Sequence, residues 1–166
     1  EELLASAYEA GLEIIEAGKG DKISIKDFSE IHFISPEKSD YPGREKGGND
    51  SSLVSIIAFK DIRILIMADA TKRVEEQIIK TESDIKSDIY RISHHGSPTS
   101  TNHDIIDAVS AGISIISVGH NLYGHPSDEV ISRLENSGTK VFRTDFNGAF
   151  IYEINGSKTR YRTMLD

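Results

Sequence analysis

Cysteine is absent from this 166-residue chain, which excludes disulfides and thiolate metal sites. Long apolar runs are absent too: none approaches the ~20 residues of a membrane span. No signal peptide or targeting motif is present. There is no initiator Met. The chain opens Glu1-Glu2-Leu3-Leu4, which reads as the interior of a helix, so a piece of a longer protein is expected. Location stays open: the parent is either membrane-associated or cytoplasmic. Positive charge is scarce, with 19 Lys and Arg against 27 Asp and Glu and a net charge of −8. That argues against a large electrostatic footprint on nucleic acid, and its plainest meaning is solubility. It does not exclude a nuclease, because a bound divalent metal dominates its own site.

What is present suits one soluble domain with a real core: 37% hydrophobic and 28% charged residues. Residues 3–10 read as a short helix ended by Gly11. Residues 12–17, with adjacent Ile14 and Ile15, read as a strand, then 18–21 as a turn. Residues 22–26 alternate with period two and predict a strand with one buried face. Residues 30–35 are a further strand. The polar stretch 37–50, with four Gly or Pro residues, is a loop long enough for function.

Strands 52–59 and 62–67 join at Lys60-Asp61 as a hairpin. The near-continuous 62–67 run predicts a central strand buried on both faces. A helix over 70–81, a strand over 89–93, a helix over 104–110 capped by Thr101 or Asn102, and a strand over 113–118 follow. A helix over 127–136 carries Val130, Ile131 and Leu134 as its apolar stripe. Strands 140–143, 149–154 and 159–162 close the chain, with Asn155-Gly156 as the strongest hairpin signal. Strands first, then strand–helix alternation, give an α/β layered fold with helices outside a mixed sheet.

Chemistry-bearing residues stand at successive strand exits. Asp69 follows the 62–67 strand, where α/β proteins place ligands; alternatively it caps the next helix. His94 and His95 follow the 89–93 strand, and imidazole serves as metal ligand or acid–base group. Parallel neighbouring strands would bring Asp69 and the histidine pair to one edge. Oxygen and imidazole donors together suit zinc, manganese or iron. His125 follows the third strand; alternatively it caps the helix after it. Asn49 and Asp50 read as turn residues, His32 and His103 as structural, and His120 as undecided.

Asn49-Asp50-Ser51-Ser52-Leu53-Val54, Met67-Ala68-Asp69-Ala70, Ser93-His94-His95-Gly96-Ser97, Ser117-Val118-Gly119 with Tyr123-Gly124-His125-Pro126, and Val141-Phe142-Arg143-Thr144-Asp145 with Gly148 occur in that order. This series resembles the C-terminal metallo-β-lactamase-fold domain of ComEC-type competence proteins, over residues 1 to about 154. The resemblance implies a metallo-β-lactamase-like αββα sandwich, here mainly its second half. It implies that Asp69 bridges two metals and that His94 or His95 is the late ligand. Catalysis would rest on the same three residues. Asn49 and Asp50 would fall near where relatives carry a middle ligand, which is then missing or replaced, and with Ser97 and His125 they would serve the substrate side. Family habit places Gly before the aspartate; Ala68 stands there, with little consequence expected.

The family's His-x-His-x-Asp-His and Asp-x-Gly-x-Gly-Asp motifs are absent. The resemblance therefore implies that residues 1–166 are one N-terminally truncated domain. A divalent metal, zinc or manganese, belongs to the complete domain, and this chain alone is expected to bind it weakly. The implied activity is metal-dependent hydrolysis of phosphodiesters, DNA or another phosphoester. The competing reading is a binding or regulatory module that kept the fold and lost the ligands; acyl or lactone hydrolysis is a third. The missing half should leave an apolar sheet face uncovered, through which two copies could pair unless the chain's own helices cover it.

Overall fold

The computed structural model describes residues 2–26, 29–38, 48–155 and 158–165. Most of the 37–50 loop and the Gly156 turn position lie outside them. The first helix, α1 (Glu2–Glu9), ends at Gly11, whose φ of +67° is left-handed. It buries no residue. The strand expected over 12–17 does not form. Strands need a hydrogen-bonded neighbour, and Leu12 and Ile15 stay 61% and 76% exposed outside any ladder.

The main sheet has seven strands in sequence order. They are β1 (Lys22–Ile25), β2 (Ser29–Ser35), β3 (Val54–Phe59), β4 (Ile62–Ile66), β5 (Ile89–Arg91), β6 (Ile113–Ile116) and β7 (Lys140–Arg143). The first four pair antiparallel and β4 to β7 pair parallel. Three crossover helices join the parallel strands: α2 (Lys72–Thr81), α3 (His103–Val109) and α4 (Asp128–Asn136). After β7 come a single turn, α5 (Thr144–Asn147), and a two-stranded sheet of β8 (Phe150–Asn155) and β9 (Lys158–Thr163).

The register sorts the two faces. Ile56, Leu65, Tyr90 and Val141 share one row of the ladder. On that face Leu65, Met67 and Ile116 are fully buried with Val74, Ile78, Ile105, Val130 and Leu134 of the helices. This is the core. On the other face an isoleucine ladder crosses β1 to β6: Ile23, Ile31, Ile57, Ile64, Ile89 and Ile113. The next row ends in Ile115 and Phe142, against which Phe150 and Tyr161 of the small sheet pack at centroid distances of 4.8 and 5.4 Å.

Two expectations change. β4 is central, but only its helix side is fully buried; Ile62, Ile64 and Ile66 opposite are half-exposed. β1 buries neither face, because it is an edge strand beyond the reach of the helices. The remaining elements lie within a few residues of expectation, and the α/β layered architecture with a mixed sheet and flanking helices is what the sequence folds into.

Candidate functional site

Parallel pairing places the exits of β4, β5 and β6 side by side. Two backbone knots lock the first two exits. The Ala68 carbonyl accepts from the His94 amide (3.0 Å) and from Arg91 Nη1 (2.6 Å). Ser93 Oγ donates to the Ala70 carbonyl. Arg91 is half-buried; burial lowers its pKa while the nearby Asp69 charge opposes that shift. At the third exit Thr144 Oγ1 donates to the Val118 carbonyl (2.6 Å) and accepts from the Val118 amide (2.7 Å).

The Ala68 knot needs an unusual backbone. Ala68 has φ +50°, His94 +47° and His95 +55°, followed by Gly96 at +80°. A Cβ on Gly96 would stand 2.5 Å from Cβ of Pro126, so glycine there also lets the β6 exit loop close over the β5 exit. Non-glycine residues with left-handed φ carry strain, and such strain collects at functional sites. This is where Ala68 departs from the sequence reading: the glycine habitual at that place has a conformational reason.

Asp69 and His95 meet. His95 Nε2 lies 3.5 Å from Asp69 Oδ1, both side chains about two-fifths exposed. His95 Nδ1 lies 2.6 Å from the Ser117 carbonyl. A carbonyl only accepts, so Nδ1 donates to it, and this bond fixes the ring with Nε2 turned toward the carboxylate. Second-sphere carbonyls fix metal-ligating histidines in this way. Two donors on one tetrahedral zinc stand roughly 3.4 Å apart, so the pair fits two ligands of a divalent ion. Among the described residues no group of three or more such side chains forms, so the fit is partial.

His94 is differently held. Its Nε2 faces Asn49 Nδ2 at 3.4 Å and its Nδ1 is buried without a partner. Its ring stands 6.4 Å from that of His95 and 5.7 Å from that of His125. Burial, with His94 and His95 nearby, lowers the His125 pKa. Its Nδ1 is likewise buried and unpartnered. A small cleft of about 230 Å³ opens beside these rings, lined by His95, Val118, Gly119, His120, Asn121, Tyr123 and His125.

The helix-capping alternatives are resolved. Thr71 occupies the N-cap of α2, and Ser127 caps α4 by accepting from Val130 N, so neither Asp69 nor His125 is a cap. Asn102 caps α3. Asn49 and Asp50 sit in a short helical turn over Gly48–Ser51. Asp50 accepts from Thr71 Oγ1 and pairs with Arg73 at 3.3 Å, bracing the turn against α2. Ser97 is buried, its Oγ 2.9 Å from that of Thr99. His32 lies on β2 beside Glu30 and Arg63, and His103 opens α3 exposed.

Sequence reasoning gave no role to Arg91, Asn121 and Thr144, which act on backbone groups. Two of them left a signal: Thr144 stands in one of the quoted motifs, and Asn121 is an asparagine in a glycine-rich loop.

With this geometry in place, comparison adds ancestry. Against ComE operon protein 3 of Bacillus subtilis (strain 168) the chain is 34% identical over 153 residues, 92% of its length. The chain is homologous to the ComEC-type competence proteins. Competence protein ComA of Neisseria gonorrhoeae is 32% identical over 103 residues, 61% of the chain. Recombination protein 2 of Haemophilus influenzae is 29% identical over 104 residues, 62% of the chain. The chain spans 19%, 15% and 13% of those three proteins' lengths. No protein-family profile matches it. Two crystal structures share its fold. A candidate metal-dependent hydrolase from Parabacteroides distasonis has TM-score 0.52 and 18% identity, over 84% of this chain and 60% of that one. CmlA, a diiron β-hydroxylase from Streptomyces venezuelae, has TM-score 0.51 and 14% identity, over 80% and 33%. Among the described residues no helix is long and apolar enough to cross a membrane.

Proposed function

We propose that this chain is the later part of a metal-dependent hydrolase domain acting on DNA phosphodiesters. The observation that carries the reading is the Asp69–His95 pair, a carboxylate and an imidazole nitrogen 3.5 Å apart on the ligand-bearing edge of a parallel sheet. Relatives named for competence and recombination favour DNA over other phosphoesters.

In this reading Asp69 and His95 would hold the metal, His95 oriented by the Ser117 carbonyl. Zinc or manganese, when bound, supplies a Lewis acid and an activated water. His94, engaged by Asn49, is a neighbouring catalytic imidazole rather than a ligand. His125, whose neutral form burial favours, lines the substrate side and offers a hydrogen bond without charge. Asn49 and Asp50 hold the rim, and Ser97 supports the loop from beneath. The remaining ligands come from an upstream portion of the same domain. The partly exposed isoleucine face takes that portion, or in its absence a second copy.

The partial ligand set also suits a module that keeps the fold without catalysis. One experiment separates the two. A protein extended upstream is incubated with single- and double-stranded DNA and manganese. Metal-dependent cleavage, abolished by Asp69→Ala with the fold intact by circular dichroism, is the expected result. Undiminished cleavage by Asp69→Ala sinks the ligand assignment, and an inactive extended protein supports the module. Calorimetry on the 166-residue chain should show only weak zinc or manganese binding; tight stoichiometric binding would contradict the partial site.

A further inference from the structure

Between β6 and α4 the chain makes a tight loop whose tip is Leu122 and Tyr123, 95% and 84% exposed. Exposed apolar side chains on a mobile loop would mean little. This loop is pinned. Asn121 Nδ2 donates to the Gly119 carbonyl (2.9 Å) and the His125 carbonyl (2.8 Å). Asn121 Oδ1 accepts from the Tyr123 amide (3.0 Å) and the His125 amide (3.1 Å). One side chain thus satisfies backbone groups on both sides of the tip and presents the tyrosine from a fixed backbone. The Tyr123 ring stacks on His125, 6.0 Å between centroids and 27° between planes. His125 meets His94, and His94 meets His95. The rings form a continuous track from the Tyr123 tip to the Asp69–His95 pair.

Resting on the phosphodiester reading above, we infer that Tyr123 is a stacking platform for an unpaired base, so that the site takes single-stranded nucleic acid. A base in a duplex hides its faces; an unpaired base offers a π-face to any flat ring. Charge does not draw a strand in here. The chain carries −8, and the acceptors Asp69 and Asp50 stand at this edge. Attraction to the phosphate backbone is therefore weak here, and base contact has to supply what charge does not. The strand's phosphodiester then lies along the ring track, with a base on Tyr123 setting its register.

The test is binding, read apart from cleavage. A short fluorescent single-stranded DNA, a duplex of the same sequence and an abasic strand of equal length are titrated into the 166-residue chain by fluorescence anisotropy. The expected order is single strand tightest, with duplex and abasic strands weaker. Tyr123→Ala should bind the single strand about 5- to 100-fold more weakly, the range that loss of one base–aromatic stack produces. It should no longer distinguish that strand from the abasic one. Tyr123→Trp should retain the preference. Because Tyr123 is exposed, melting temperatures should be unchanged. Equal binding by Tyr123→Ala and wild type, equal binding of abasic and normal strands, or no binding by the wild-type chain each overturns the inference. The phosphodiester reading stands or falls separately, on cleavage by the extended protein.

Discussion

Ala68 shows how much one methyl group can matter at a strand exit. Its carbonyl ties the β4 exit to the β5 exit through His94 N and Arg91, and its φ of +50° is what turns that carbonyl toward them. An L-residue in that region costs about 1–2 kcal/mol. Glycine removes the strain but gains unfolded-state freedom worth roughly 0.5–1 kcal/mol. Ala68→Gly should therefore raise stability by about 0.5–1 kcal/mol, read as a higher urea midpoint at constant slope. Ala68→Val should lower it, since a β-branched side chain is worse still at positive φ. A neutral or destabilising glycine would mean that the neighbouring contacts, not the torsion, set the local energy. The residues with chemistry, Asp69 and the histidines, were legible because strand exits in a parallel sheet converge. Which histidine faces Asp69 was not legible, because it depends on the left-handed torsions of His94 and His95, which spacing does not encode.

At the scale of elements, α2 and α3 are coupled by a buried acid. Glu75 is fully buried on α2 and accepts from the Thr101 and Asn102 amides and from Asn102 Nδ2, the groups that begin α3. Burial pushes its carboxyl up to about 7, against the pull of those donors and of Arg133. The unfolded chain holds it near the ordinary glutamate value of about 4.3. Between those values the folded protein binds the extra proton, so stability is highest at the acid end and falls as pH rises toward 7. The expected loss is on the order of 2–3 kcal/mol. His125, with a lowered pKa, works in the opposite direction, so the comparison must be with a variant that removes only the acid. Glu75→Gln should be less stable at pH 5 through imperfect hydrogen bonding, and should lose this part of the pH dependence. Urea unfolding of both proteins from pH 4.5 to 8 checks it; parallel curves would refute the shifted carboxyl. Glu75 escaped the sequence reading because an acid on an amphipathic helix reads as its wet face. Residues 12–17 failed for the converse reason: apolar content alone does not supply a strand with a neighbour.

For the whole molecule, the asymmetry between the two sheet faces governs behaviour. Strand–helix alternation made the helix-covered face legible, because three crossovers between consecutive parallel strands lay their helices on one side. The other face was legible only as an expectation of something uncovered; the register supplies its content. Ile31, Ile57, Ile64 and Ile113 line up there partly exposed, with Ile89 buried among them, and β8–β9 packs against the Phe142 end. Soluble monomers seldom leave a contiguous apolar surface of more than a few hundred Å². Each half-exposed isoleucine stands to gain on the order of 1 kcal/mol on further burial. Centred on the β3–β4 pair, the ladder is self-complementary about a two-fold axis, as an isologous dimer requires. The 166-residue chain should therefore associate with itself as concentration rises, and the upstream-extended protein should not, its added portion covering the same face. Sedimentation velocity across a hundred-fold concentration range reads both. Replacing Ile57 or Ile64 by Glu should return the chain to a monomer by putting an unpaired charge at the centre of the contact. If the chain stays monomeric throughout, or if the Glu variants still associate, the isoleucine face is not the surface that joins the copies.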